Sequence, residues 1–204
     1  MEIAVFGATG MVGSEITAEA LRRGHEVTAI SRHGVHIPGE SAAAVLAADL
    51  ADSDAVARIA AGHDVVVLAA GPSRTGGDHQ QWLDAMSSAL KAVGSTRVFI
   101  VGGAGALMVN GQRLMDTPDF PPAYLPEAKT MAALYNLVMA APESLDWTMQ
   151  APAPEIAPGE RTGKYHSADD SPAGAHISSQ DFAVAALDEI ERPAHRRARY
   201  TVAN

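Results

Sequence analysis

Short apolar runs alternate with amphipathic segments along this chain, and the alternation predicts its secondary structure. Residues 2–6 (EIAVF) form a short β-rich run, the pattern of a buried parallel strand. Residues 11–23 then place apolar side chains at helical spacing and stop before Gly24, a plausible C-terminal cap. A second apolar run at residues 25–32 follows. The first part of the chain is therefore predicted to be a βαβ unit.

The same alternation continues toward the end of the chain. It favours further strands at 44–50, 63–71, 97–103, 146–154 and 199–203, and helices at 52–59, 78–93, 126–140 and 177–191. Such alternation is typical of an α/β fold, a Rossmann-type doubly wound parallel sheet. We predict one domain over residues 1–204, with a proline-containing, substrate-covering segment around 104–126.

Three glycines interrupt the first strand–helix junction. Gly7, Gly10 and Gly13 are spaced G-x-x-G-x-x-G. In nucleotide-binding folds the first glycine permits a tight turn, the second admits a pyrophosphate, and the third brings the helix close to the sheet. The N-terminus of that helix also attracts negative charge. Because the glycines follow a strand and open a helix, they predict a dinucleotide site.

The end of the second strand indicates which dinucleotide is bound. NAD-binding proteins place a carboxylate there for the ribose hydroxyls, whereas this chain has Ser31 and Arg32. A hydroxyl and a guanidinium would bind a 2′-phosphate, so NADP(H) is preferred over NAD(H). Residues 48–50 after the third strand are placed to meet adenine, and residues 69–72 after the fourth would line the nicotinamide ribose.

Motifs along nearly the whole chain resemble the atypical short-chain dehydrogenase/reductase superfamily. They are GATGMVG, RGHEVTAISR, VVVLAAG and ISSQDFA. Within that superfamily VGGAGAL, DTPDFPPAYLPEA, LDWTMQAPA and APGERTGKY resemble the bacterial NADH-flavin reductase group, which is related to biliverdin-IXβ/flavin reductase. The group's label names NADH, whereas Arg32 favours NADPH.

The resemblance also implies which residues contact the cofactor. Pro152, after the sixth predicted strand, is expected near the nicotinamide. With the residues proposed above, the expected cofactor-binding set is Gly7, Thr9, Gly10, Met11, Val12, Ser31, Arg32, Asp49, Leu50, Ala69, Ala70, Gly71 and Pro152.

A catalytic constellation is harder to find. Classical members of the superfamily use Tyr-x-x-x-Lys on one helix face, and this chain has none: Tyr135 is followed by Met139 at the lysine position. Hydride transfer to a flavin, quinone or similar flat conjugated acceptor needs mainly binding and orientation, so it fits. A non-catalytic NADP(H)-binding redox sensor, and an epimerase or carbonyl reductase with a displaced acid, are the alternatives.

Three side chains are candidates on the substrate side. Ser73 and Tyr124 are the candidate catalytic residues, and His166 is a further candidate. Each also has a structural interpretation, because Ser73 suits a loop hydrogen bond, Tyr124 suits packing between prolines, and His166 suits an exposed loop. Ser178 or Ser179 is predicted to cap the last helix.

Composition narrows the remaining possibilities. The net charge of −9 argues against a nucleic-acid partner, and the basic cluster at residues 195–199 is predicted to be a solvated turn. No cysteine is present, and His33 and His36 lack a carboxylate at ligand spacing, so no metal is expected. No segment reaches membrane-spanning length. We expect a cytoplasmic monomer or homodimer that acts on a small-molecule acceptor.

Overall fold

The computed structural model describes residues 1–35 and 43–204. The predicted loop between His33 and Ala44, with His36, lies largely outside the described residues. The first half of the chain forms β1 (Glu2–Phe6), α1 (Met11–Arg22), β2 (Glu26–Ser31), β3 (Ala44–Ala47), α2 (Ser53–Ala61), β4 (Val65–Leu68), α3 (His79–Ala92) and β5 (Arg97–Val101).

The second half contains more strands than the pattern predicted. It forms β6 (Met108–Val109), β7 (Gln112–Arg113), α4 (Leu125–Met139), β8 (Trp147–Pro152), β9 (Glu155–Ala157), β10 (His166–Ala168), β11 (His176–Ser178), α5 (Ser179–Glu191) and β12 (Ala198–Ala203). The short strands β6, β7, β9, β10 and β11 were not predicted, because runs of two or three residues have no readable alternation.

Eight strands form the central sheet, in the order β10-β12-β8-β5-β4-β1-β2-β3. All neighbouring pairs in it are parallel except β10 with β12, which is antiparallel. Strand order reverses between β1 and β4, and a doubly wound sheet binds its ligand in the crevice at such a point. The predicted Rossmann-type α/β fold is confirmed.

Helices cover both faces of this sheet. On one face α1 and α5 pack together over a core that includes Ile16 and Phe182. On the other face α2, α3 and α4 bury Val56, Met86 and Leu134. Because both faces are covered, the central strands read as continuous apolar runs rather than as alternating ones.

The proline-containing segment packs against α4. Its side chains Ala106 and Met115 form a small core with Ala128 and Ala132 of that helix. The hairpin of β6 and β7 turns at Asn110 and Gly111, both with positive φ. The segment therefore packs against α4 in the stretch that follows β5.

The basic cluster at residues 195–199 contains the predicted turn, with Arg196 exposed, but Arg197 and Arg199 are not solvated. Arg197 donates hydrogen bonds to three carbonyl oxygens in residues 141–145, just beyond α4. Arg199 is buried, and its guanidinium lies 3.9 Å from the centre of the Tyr135 ring. Both guanidinium groups satisfy buried or helix-terminal oxygens that the sequence pattern does not reveal.

Candidate functional site

The candidate site begins at the turn between β1 and α1. Gly7 has φ +81°, a conformation that side chains rarely adopt, and a methyl group there would lie 2.6 Å from the Ala70 nitrogen. The backbone nitrogens of Gly7 and Ala8 both donate to the Ile30 carbonyl. The turn is thus held against the ends of β2 and β4, at the reversal point of the sheet.

Gly13 brings α1 close to this turn. A methyl group at Gly13 would lie 2.1 Å from the Gly7 carbonyl oxygen, which belongs to rigid backbone. Only a residue without a side chain fits at this contact. The third glycine therefore has the packing role that its spacing predicts.

The N-terminus of α1 is left open by the protein itself. Its N-cap is Gly10, which provides no side-chain hydrogen bond, and its first turn contains no acidic residue. By contrast, Asp52, Asp78 and Ser178 cap α2, α3 and α5 through their side chains. The first N–H groups of α1 have no intrahelical acceptor, and the helix dipole adds partial positive charge there.

The predicted contacts around this terminus are accessible. Thr9, Gly10 and Met11 are exposed, and Val12 is half-buried. An anionic group with several oxygens could accept hydrogen bonds from the open N–H groups without displacing a side chain. The open helix end and the glycine turn thus fit the pyrophosphate of a dinucleotide.

Ser31 and Arg32 lie at the end of β2, as predicted. The Ser31 hydroxyl oxygen accepts from the backbone nitrogen of Val35, at 3.1 Å, which fixes the turn. Arg32 is exposed.

Among residues 1–35 and 43–204, no three metal-ligating side chains cluster together.

The end of β3 differs from the prediction in detail. The strand stops at Ala47, so Asp49 and Leu50 belong to the following turn. The Asp49 carboxylate accepts from the Ala51 nitrogen and is exposed, whereas the Leu50 side chain is buried. Its bond to Ala51 gives the Asp49 carboxylate a local structural role whether or not adenine binds there.

The loop after β4 is fixed from two sides. The indole nitrogen of Trp82 donates to the Ala70 carbonyl at 3.2 Å, and Ala69 donates its N–H to Phe6. Gly71 is exposed and has open space around its α-carbon. Ala69, Ala70 and Gly71 therefore form a firm backbone edge beside the glycine turn.

Ser73 makes local hydrogen bonds. Its hydroxyl oxygen accepts from the backbone nitrogens of Thr75 and Gly77, at 3.2 and 3.0 Å. This is the structural role expected for a loop serine, and it leaves the hydroxyl proton as a possible donor. A catalytic role for Ser73 stays a prediction.

Tyr124 lies at the surface of the protein, and its candidate catalytic role stays a prediction. Its side chain is 57% exposed, so the idea that its ring packs between prolines was wrong. It precedes α4, beside the loop after β4. The phenol makes no hydrogen bond to the described part of the chain.

Two side-chain links between that loop and α4 were missed by sequence reasoning. Arg74 forms a bidentate pair with Glu127, with nitrogen–oxygen distances of 2.7 and 2.8 Å. The His79 ring bonds through one nitrogen to the Ser73 carbonyl and through the other to the Thr130 hydroxyl. No sequence signal joins residues more than 50 positions apart.

Pro152 and His166 lie in separate surroundings. Pro152 is buried at the end of β8, which lies between β12 and β5 in the sheet. His166 begins the edge strand β10 and lines a cavity of about 960 Å³ that also includes Glu155, Arg161 and His176. None of the residues around this cavity comes from the glycine turn or from the loops after β4 and β5.

Comparison with known proteins identifies the class. The family model described as NAD(P)H-binding matches residues 7–193, so the chain belongs to the NAD(P)H-binding family. The match begins at the first glycine of the turn described above. The resemblance seen in the sequence is thereby confirmed at the level of the family.

Solved structures of similar sequence share the whole fold with this chain, but their functional descriptions differ from one another. A Burkholderia pseudomallei protein, provisionally described as exported, is 40% identical and covers 100% of both chains, with TM-score 0.85. A Bacteroides thetaiotaomicron protein, provisionally an epimerase, is 36% identical over 99% of this chain and 96% of that one, with TM-score 0.86. A Streptococcus pneumoniae protein, provisionally an NADH-flavin reductase, is 32% identical over 100% and 99%, with TM-score 0.85.

Within residues 1–35 and 43–204, no helix has the length and apolar character needed to cross a bilayer. The cytoplasmic location stays a prediction.

Proposed function

We propose that this protein is an NADPH-dependent oxidoreductase that transfers hydride to a flavin, a quinone or a similar flat conjugated acceptor. The observation that supports it best is the uncapped first turn of α1, at the reversal point of the sheet. The nicotinamide, when bound, would supply the hydride. The proposed reaction class rests on two features: a backbone edge at residues 69–71 that could orient the nicotinamide, and the lack of a tyrosine–lysine pair that could donate a proton.

Each part of the cofactor has a candidate partner in this proposal. The N–H groups of Met11 and Val12 would bind the pyrophosphate. Ser31 and Arg32 would bind the 2′-phosphate, and the backbone of residues 69–71 would line the nicotinamide ribose. Pro152 would close the site beyond the nicotinamide, because it ends the strand next to β5.

The acceptor side offers orientation rather than a proton relay. Tyr135 has no lysine four residues later, and its ring packs against the Arg199 guanidinium inside the protein. A flat conjugated acceptor is already electrophilic and can take its proton from water, so positioning supplies most of the catalysis. Carbonyl reduction by the usual tyrosine–lysine pair is not open to this chain.

Arg32 is the residue proposed to select NADPH. A guanidinium bound to a phosphate contributes about 1.5–3 kcal/mol, which corresponds to roughly a tenfold to hundredfold difference in affinity. No carboxylate occurs at Ser31, Arg32 or His33 to repel that phosphate. We also propose a cytoplasmic monomer or homodimer.

Titration of the purified protein with NADPH and NADH, followed by nucleotide fluorescence, tests the cofactor choice. In Arg32→Ala we expect the NADPH dissociation constant to rise tenfold or more, with NADH changed less than twofold. Arg58→Ala removes an exposed arginine of α2 and serves as the matched control. Equal loss for both nucleotides would contradict the assigned role of Arg32.

Addition of riboflavin, FMN or a quinone to the same sample tests the reaction. Loss of nicotinamide absorbance supports a reductase. Tight NADPH binding without oxidation across these acceptors would favour the redox-sensor alternative. A displaced acid, as in an epimerase or carbonyl reductase, predicts that Tyr124→Phe abolishes turnover, whereas the proposed reaction predicts little change.

A further inference from the structure

One arginine on the loop after β4 faces solvent and has a single charged partner. Arg74 is 65% exposed in its side chain, and both its bonds go to the Glu127 carboxylate in the first turn of α4. The Glu127 side chain is 23% exposed, so the pair is open to water mainly on the Arg74 side. An anion can therefore reach the guanidinium from solvent and compete with the Glu127 carboxylate for it.

An exposed aromatic ring lies beside this arginine. In the part of the chain that the structure describes, Tyr124 is the single aromatic residue among the exposed large apolar side chains. The pKa of Arg74 is raised, mainly by its hydrogen bonds to Glu127 and to a smaller extent by the nearby Tyr124. A flat ring and a guanidinium are thus available together between the loop after β4 and the start of α4.

The backbone under Arg74 is fixed even though its side chain is not. The Ser73 hydroxyl bonds the nitrogens of Thr75 and Gly77, and His79 joins the Ser73 carbonyl to Thr130 of α4. The arginine therefore projects from a braced loop at the carboxyl edge of the sheet. For the guanidinium to bind another anion, its pair with Glu127 must break.

We propose that the surface formed by Arg74 and Tyr124 selects flat conjugated acceptors that carry an anionic group. Tyr124 stacks on the conjugated ring, and Arg74 exchanges the Glu127 carboxylate for the phosphate or carboxylate of the acceptor. FMN is then preferred over riboflavin, which has the same ring without the charge. This inference rests on the proposed function and adds the chemical class of its acceptor.

Binding measured without turnover tests the inference. Protein saturated with NADP⁺ is titrated with FMN or with riboflavin, and quenching of flavin fluorescence gives both dissociation constants. We expect FMN to bind about tenfold more tightly, a preference that Arg74→Ala removes. Glu127→Gln frees the guanidinium, so it should tighten FMN binding about threefold and leave riboflavin unchanged.

The ring contribution is tested separately. Tyr124→Ala should weaken both flavins to the same extent, whereas Tyr124→Phe should retain stacking and change neither. Arg113→Ala is the matched control, because Arg113 also forms an exposed pair with a carboxylate, that of Asp116. A sulfonated quinone compared with its uncharged parent repeats the test on a second ring system.

Substituting each member of the ion pair in turn distinguishes an anion-binding role from a purely structural one. If Arg74→Ala and Glu127→Gln weaken both flavins equally, the pair only braces the loop and the inference is wrong. Equal binding of FMN and riboflavin to the wild type would also overturn it. The expected binding pattern without NADPH oxidation would instead contradict the reductase proposal and leave the anion site standing.

Discussion

Helices α1 and α5 pack side by side on one face of the sheet, yet their N-termini are capped in different ways. At α1 the cap is Gly10, which offers no side chain to the first turn. At α5 the Ser178 hydroxyl accepts a hydrogen bond from the Asp181 nitrogen. The N-terminus of α1 therefore has no side-chain cap, whereas that of α5 is capped by the protein itself.

The surroundings of α5 extend this contrast. The buried Asp181 carboxylate accepts from the Thr162 hydroxyl, the Gly163 nitrogen and the Asn204 amide. Burial opposes its charge, but these bonds outweigh burial and lower the pKa of Asp181. Buried polar groups that are fully paired hold a loop in place, whereas unpaired ones at an open edge are available to a ligand.

The largest effect is expected at the open terminus. Gly13→Ala would place a methyl group 2.1 Å from the Gly7 carbonyl oxygen, so α1 must move away from the turn. We expect loss of measurable NADPH binding and a fall in the free energy of unfolding of about 1–3 kcal/mol. Nucleotide titration and urea denaturation measure the two effects.

Gly62→Ala is the control for that substitution. The methyl group would have its nearest neighbour at 3.8 Å, beyond any clash. This variant should bind NADPH like the wild type. Retained NADPH binding in Gly13→Ala would refute the close-packing role assigned to the third glycine.

A second effect, on stability and not on NADPH binding, is expected at the buried carboxylate of Glu19 in α1. Glu19 is 1% exposed, and burial would raise its pKa, but bonds from Arg161 and Arg23 lower the pKa to about 2. A lowered pKa stabilises the fold above pH 4.5, and this stabilisation is lost as the pH falls toward 2. Glu19→Gln should reduce neutral-pH stability by on the order of 3 kcal/mol.

The pH profile of unfolding distinguishes this effect from simple loss of packing. Stability of Glu19→Gln should fall less steeply than that of the wild type on acidification below pH 4.5. Glu26→Gln, at an exposed position of β2, should leave the profile unchanged. Parallel profiles for wild type and Glu19→Gln would show that the ionised carboxylate is not the stabilising group.

The smallest effect is expected from removing the cap at α5. Ser178→Ala leaves the Asp181 nitrogen without its side-chain acceptor, which should cost about 1 kcal/mol in the free energy of unfolding. NADPH affinity should stay within twofold of the wild type. A large drop in that affinity would mean that the closed terminus also serves the cofactor.

Local signals explain what the sequence could predict. The strand, glycine turn and helix of residues 2–22 lie next to each other along the chain, and so do Asp52 and the helix it caps. Their geometry depends on a few neighbouring residues, so spacing alone indicates it. The Asn110–Gly111 hairpin had an equally local signal, since Asn-Gly favours a two-residue hairpin turn, but the short strands hid it.

Long-range contacts explain what it could not. Arg74 and Glu127 are 53 positions apart, and His79 and Thr130 are 51 apart. Neither segment contains a sequence pattern that predicts its partner, because the pairing depends on how the loop after β4 packs against α4. The exposure of Tyr124 depends on the same packing, so the sequence alone could not predict it either.

The packing of α1 on α5 also has a consequence for how the chain folds. Arg23, the residue that follows α1, pairs with Asp188 of α5, 165 positions later. Ile16 and Ala20 of α1 share one core cluster with residues of α5, so that cluster is incomplete until α5 has been synthesised. The glycine turn after β1 is therefore encoded early in the chain, whereas the core beneath it is completed only by α5, and we expect a nascent chain to acquire cofactor affinity late.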